Sequence, residues 1–96
     1  EAEALEIVAR GDQNSSRVVW RRVQDIPWPN GAQVGLIVRG LPEPGSVPAA
    51  GVPAPQVLIP HGDTVIDSGD HVVVFLPSKR LVREVERLFR VSATFF

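Results

Sequence analysis

Residues 41 to 55 hold five of the chain's nine prolines, two of its glycines and no aromatic residue. A stretch of that composition lacks the apolar groups that would offset the entropy of ordering it, so it is expected to be an exposed, mobile loop. Regular structure is therefore left to the residues on either side. With only 96 residues in all, they must share one core, and a single domain over residues 1–96 is expected.

On the N-terminal side, Leu5-Glu6-Ile7-Val8-Ala9 reads as a strand over residues 4–10, closed by a turn cluster of Gly11, Asp12, Asn14, Ser15 and Ser16. Ser15 or Ser16 can cap a helix whose Val19, Val23 and Ile26 fall at i, i+4 and i+7 before Pro27 stops it. Pro27-Trp28-Pro29-Asn30-Gly31 is then a rigid turn that sets Trp28 over the edge of the core. Val34 to Val38 is an apolar run that suits a strand buried on both faces, closed by Arg39-Gly40.

After the proline-rich stretch, Val57-Leu58-Ile59 predicts a short strand. Two turn clusters, Pro60 to Thr64 and Asp67 to Asp70, flank Val65-Ile66, and a strand runs from Asp70 to Leu76. Pro77 ends it, and Ser78 can cap the next helix. Leu81, Val82, Val85, Leu88 and Phe89 stand at offsets of 0, 1, 4, 7 and 8, a single apolar stripe at the helical period. Arg80 with Glu84, and Glu86 with Arg90, are spaced as i,i+4 pairs on its wet face. The tail to Phe95-Phe96 is apolar and is expected to pack against something. The order strand, helix, strand, strand, strand, helix predicts an α+β domain of two layers, a sheet of about four strands covered by helices.

Ten basic residues against eleven acidic ones leave a formal charge of −1, which offers no excess to drive nonspecific binding to nucleic acid or to anionic lipid. The chain has no Cys, so disulfides, thiol catalysis and cysteine zinc sites are excluded. Its longest apolar run, Val72 to Leu76, falls far short of the ~20 residues that span a bilayer. The acidic start, Glu1 to Glu6, is unlike a targeting peptide. With no Met anywhere, the chain is expected to be a piece of a longer parent.

His61, Asp63, Asp67, Asp70 and His71 lie within eleven residues, but they occupy two separate turns where Asp serves local backbone bonding, so turn chemistry is favoured over a metal site. Ser68, His61 and Asp63 could be imagined as a hydrolytic triad, yet no nucleophile elbow surrounds any Ser. Gly35 and Gly40 flank a strand and do not form a phosphate-cradling loop. Arg17, Arg21 and Arg22 around Trp20 suit a subunit contact or a wet face better than a nucleic acid. The expectation is a protein that is not an enzyme, with no catalytic, metal or cofactor-binding residue. Arg39, at the end of an apolar strand, either leaves the core or, if two sheets pair, lines a twofold groove for an anionic ligand.

The run Val57 to Ile66 with Pro60 and Thr64, followed by Gly69-Asp70 and the apolar strand His71 to Phe75, resembles the RCK C-terminal (TrkA-C) regulatory domain. Val85-Glu86-Arg87-Leu88-Phe89 with the Phe95-Phe96 end, and Trp28-Pro29-Asn30-Gly31-Ala32 with Gly35 to Gly40, fit the same family. The resemblance implies a βαβββα fold and a non-catalytic cytosolic domain that helps control potassium transport. Its implied partners are a second copy in a homodimer, the nucleotide-binding Rossmann halves of the parent chain, and a membrane potassium transporter subunit that would hold it at the inner face of the cell membrane. Some relatives bind cyclic di-AMP or an ion at the dimer cleft, and carry a basic residue after an Asp-Ile pair where this chain has Pro27. The residues expected at a ligand or partner surface are Arg39, His61, Asp63, Leu81, Val85, Leu88 and Phe89.

Overall fold

In the computed structural model, which describes residues 2–12, 14–43 and 45–96, the two sides of the proline-rich stretch build one antiparallel sheet. Its strands are β1 (Glu3–Val8), β2 (Gln33–Arg39), β3 (Gln56–Leu58), β4 (His71–Leu76) and β5 (Thr94–Phe95), and the single α-helix is α1 (Val82–Phe89). The spatial order is β3-β2-β4-β1-β5, five strands where about four were expected, because the C-terminal tail adds a short edge strand to β1. The apolar tail thus finds part of its partner within the chain.

Period-two alternation decides which residues enter the core. Leu5 faces Val74, and both Ile7 and Ile37 face Val72, so one side of the sheet presents a continuous buried row. Val82, Val85, Leu88 and Phe89 of α1 cover that row, and Trp28 packs on the Phe89 ring at a centroid distance of 5.8 Å. The Trp28 indole N–H donates to the Val23 carbonyl at 3.0 Å, which seats the ring over the core edge as expected. Ser78 caps the 3-10 turn Lys79–Leu81 that leads into α1, and Arg90, in the left-handed region, ends the helix by donating its N–H to Glu86.

Three expectations are corrected. Residues 16–26 form no α-helix but only a 3-10 turn at Val23–Asp25. Their backbone is taken by another segment: Trp20 and Val23 donate to the carbonyls of Ile66 and Thr64, Ile66 donates back to Arg21, and Arg22 bridges Val65. Trp20 itself has a φ of 69°, which no right-handed helix contains. The second correction concerns β2, which is not buried on both faces; Ile37 alone is buried, because helical cover lies on one side only. Third, the i,i+4 ion pairs on α1 do not form. Glu86 instead accepts the backbone N–H of Ala93 at 2.8 Å, holding the tail against the helix.

Residues 41–43 and 45–55 are exposed, as their composition predicts, and Pro44 of that stretch lies outside the described residues. No helix is long and apolar enough to cross a membrane among the described residues.

Candidate functional site

The face of the sheet away from α1 has no layer of secondary structure over it among the described residues. Register places Ala4 opposite Phe75, Glu6 and Leu36 opposite Val73, Val8 and Val38 opposite His71, and Val57 opposite Val38. These side chains form an apolar surface that is half-buried by its own crowding, with Phe75 at 49% and Val57 at 63% exposure. The Phe75 ring lies over Gly35, at a bulge where register shifts between Val34 and Leu36; a Cβ at Gly35 would overlap the ring. One polar pair interrupts the surface: His71 Nδ1 lies 3.0 Å from Glu6 Oε2.

At the end of this sheet a buried carboxylate fixes a turn. Asp70 is fully buried, and Arg39 grips it with two bonds, Nε to Oδ1 at 2.9 Å and Nη2 to Oδ2 at 2.8 Å. Arg39 Nη2 also donates to the Val65 carbonyl at 3.0 Å, and Asp67 stands 3.8 Å from Nε. The Asp70 carboxylate in turn accepts the Asp67 N–H at 2.8 Å, the local backbone bond expected of a turn Asp. Gly69, at a φ of 90°, makes the corner that lets the chain turn back, and its N–H donates to Ala9. The hydrogen bond to Asp70 holds the Arg39 guanidinium above its ordinary value, against the smaller opposing effect of its partial burial. A bidentate pair of this kind ties β2 to the turn before β4 and occupies much of Arg39's donor set.

The other residues singled out by sequence do not converge with Arg39 into one pocket. His61 and Asp63 lie on an exposed turn, where the His61 N–H donates to Thr64 Oγ1 at 2.9 Å and the His61 carbonyl accepts the Thr64 N–H. Val85, Leu88 and Phe89 are buried under the sheet, and Leu81 is partly buried beside them. No group of three or more potential metal-ligating residues comes together among the described residues. What sequence reasoning missed is the His71–Glu6 pair, whose members are 65 residues apart; only the β1–β4 register brings them together. Beside it, a pocket of about 330 Å³ is lined by Glu6, Val8, Arg10, Leu41, Glu43 and His71. Arg10 and Glu43 close its rim at 3.2 Å.

The described residues thus form a small sheet with one helical layer and one open, largely apolar face. No family model matches the chain. Over 99% of its length it is 46% identical to the "Trk system potassium uptake protein TrkA" of Halomonas elongata, and over 98% it is 45% identical to the protein of that name from Vibrio alginolyticus. The protein of that name from Haemophilus influenzae is 36% identical over 98% of the chain. In each case the chain spans 18% of the relative's length. The chain is a small TrkA-type domain, with a size that fits the RCK C-terminal domain its motifs resemble.

Proposed function

We propose that the chain is a non-catalytic regulatory domain of a TrkA-like subunit of Trk potassium uptake, and that it acts by pairing with a second copy of itself. The observation that carries the reading is the open sheet face. Leu36, Val38, Val57, Val73 and Phe75 form an apolar surface without a cover, while the helix stripe proposed for partner contact from sequence is spent on the domain's own core. Covering such a face in a partner is a usual solution for a sheet that has helices on one side only. The Arg39–Asp70 clasp holds β2 and β4 in fixed register, so motion of the attached chain would reach the paired face as a rigid displacement. In the parent, the Rossmann halves would supply that motion and a membrane Trk subunit would receive it, with the domain on the cytoplasmic side.

Sedimentation across a dilution series tests the reading. A dimer at micromolar concentration that dissociates on dilution is expected, and a monomer at every concentration up to millimolar contradicts it.

A second reading, a sensing domain for a small anion or cyclic dinucleotide, draws support from the pocket beside Glu6 and His71 at the margin of the same face. Its volume of about 330 Å³ is at the lower end for a small-molecule site. Arg39 and His61 would serve such a ligand only across a pair, because within one chain Arg39 is bound to Asp70. Calorimetry with cyclic di-AMP, ATP and NADH separates the readings: heat from one nucleotide, with a tighter dimer in its presence, favours sensing, and no heat from any favours pairing alone.

A further inference from the structure

Net charge hides a segregation that the fold creates. Residues 79–90 contain five basic residues, Lys79, Arg80, Arg83, Arg87 and Arg90, against Glu84 and Glu86, whereas the rest of the chain has five basic and nine acidic residues. This segment therefore carries a local excess of three positive charges on a chain of net −1. Arg83 and Arg87 are one helical turn apart on the outer side of α1, and they line one groove with Arg90.

Among the described residues the opposing acids form an ion pair with the stripe only at its Lys79 end. Glu86 accepts the Ala93 N–H at 2.8 Å, and Glu3, the acid at the near end of the stripe, lies 3.8 Å from Lys79. Glu84 lies toward Arg17 and Arg87. None of Arg80, Arg83, Arg87 and Arg90 has a carboxylate within 4 Å among the described residues.

A second feature adjoins this stripe. Phe95, on β5, lines the neighbouring groove with Lys79, Val82 and Arg83, and it is 52% exposed; Phe96 after it is 76% exposed. An exposed Phe95 at the end of a row of guanidinium groups makes an amphipathic surface, cationic along the helix and apolar at the tail.

We infer that this surface, α1 with Phe95, docks on an anionic lipid bilayer. Guanidinium groups pair with headgroup phosphates bidentately, and exposed Phe rings gain by entering the acyl boundary. The cytoplasmic loops of membrane proteins are enriched in Lys and Arg, so a basic stripe is a poor match for them and a good match for the lipid around them. Nucleic acid accounts for the arginines but leaves the exposed Phe95 side chain without a role. Register sets Phe95 beside Leu5, on the α1 side of the sheet and away from the proposed pairing face, so the inference does not depend on pairing, and a paired molecule would still present this surface.

Co-sedimentation of the 96-residue chain with vesicles tests it, using phosphatidylcholine alone and phosphatidylcholine with about one-third phosphatidylglycerol. Binding is expected to the anionic vesicles, to weaken steeply with added salt, and to be slight on the neutral ones. Arg83→Glu with Arg87→Glu is expected to weaken it by roughly 25-fold or more, since each basic residue near an anionic surface contributes about fivefold. Phe95→Ser leaves every charge in place and is expected to weaken it several-fold. Arg83→Gln with Arg87→Gln, a milder pair, guards against misfolding, and an unchanged circular dichroism spectrum shows that each variant is folded. Equal binding to neutral and anionic vesicles, no binding to either, or undiminished binding by the charge-reversed variant overturns the inference. So does a folded charge-reversed variant whose only defect is a loss of association with protein.

Discussion

Two segments of this chain carry apolar residues at helical spacing, and only one becomes a helix. Residues 82–89 form α1, with Val82, Val85, Leu88 and Phe89 turned into the core. Residues 16–26, with Val19, Val23 and Ile26 in the same rhythm, become an irregular run of turns and bends with a 3-10 turn at Val23–Asp25. The difference lies in the residues between the apolar positions. Segment 82–89 fills them with Arg and Glu, good helix formers. Segment 16–26 stacks Val18, Val19 and Val23, stiff at χ1, behind serines that bond their own neighbours: Ser16 Oγ accepts the Val18 N–H at 3.2 Å. The residues at 62–66 then offer carbonyls to the same backbone, and that pairing prevails over a marginal helix. Periodicity of three apolar residues is therefore a weak predictor where the intervening residues disfavour a helix and another segment offers its backbone nearby.

Substitutions can break or sharpen this contrast. The largest effect is expected at Phe89→Ala, which empties a fully buried site under Trp28 and should cost about 3–5 kcal/mol in denaturant unfolding. Val19→Ala, in the irregular segment but equally buried, should cost about 2 kcal/mol, so a near-zero value would show that this segment does not share the core.

Arg39→Ala leaves the Asp70 carboxylate buried without its cation. A fully buried pair broken in this way costs about 3–5 kcal/mol, and because Arg39 is one-third exposed, about 2–3 kcal/mol is expected, with partial recovery in Arg39→Lys. The folded state raises the Arg39 value, so the stabilisation from its side is fully present below the ordinary arginine value and is lost only as pH rises through the folded value. Thermal unfolding of wild type against Arg39→Lys should therefore show a gap that does not change between neutral pH and pH ~10.

The sign at Trp20 separates the two structures most cleanly. With its φ of 69°, Trp20→Gly should relieve left-handed strain and stabilise the fold by about 0.5–1 kcal/mol. In a helix the same change would destabilise by about 1 kcal/mol.

The smallest effect belongs to Asp12, whose carboxylate accepts the N–H groups of Asn14 and Ser15 at 2.9 and 3.0 Å. Those bonds hold it below its ordinary value of 3.8, so its contribution is present above that value and fades as pH falls through the lower folded value. A carbon-detected titration of the Asp12 carboxylate checks the direction.

What was legible in the sequence follows from how local its cause is. The strand at 71–76, the helix stripe at 82–89 and the exposed stretch after Gly40 each announce themselves within a few residues, through alternation, period and composition. The family was legible for the same reason, since its motifs are short and keep their order. The irregular course of 16–26 was not, because it depends on residues 62–66. Arg39's partner was not, because 31 residues separate it from Asp70. Sequence offered Arg39 to a ligand and found no use for Asp70 beyond its turn, and only the approach of β2 to the turn before β4 joins them. The open face was equally hidden: the run Val34 to Val38 looks the same whether one side of the sheet is covered or two.

The central claim is that the open face, with Val57 on its edge strand and Phe75 on its central strand, is where two copies meet. Val57 is largely exposed and Phe75 about half exposed in the single chain, so Val57→Glu with Phe75→Glu should leave the fold intact while placing charge inside the pair. The deciding measurement is the solution mass of this double variant beside wild type at matched micromolar concentrations. A dimeric wild type and a folded, monomeric variant are predicted, and a variant that remains as dimeric as wild type would contradict the account.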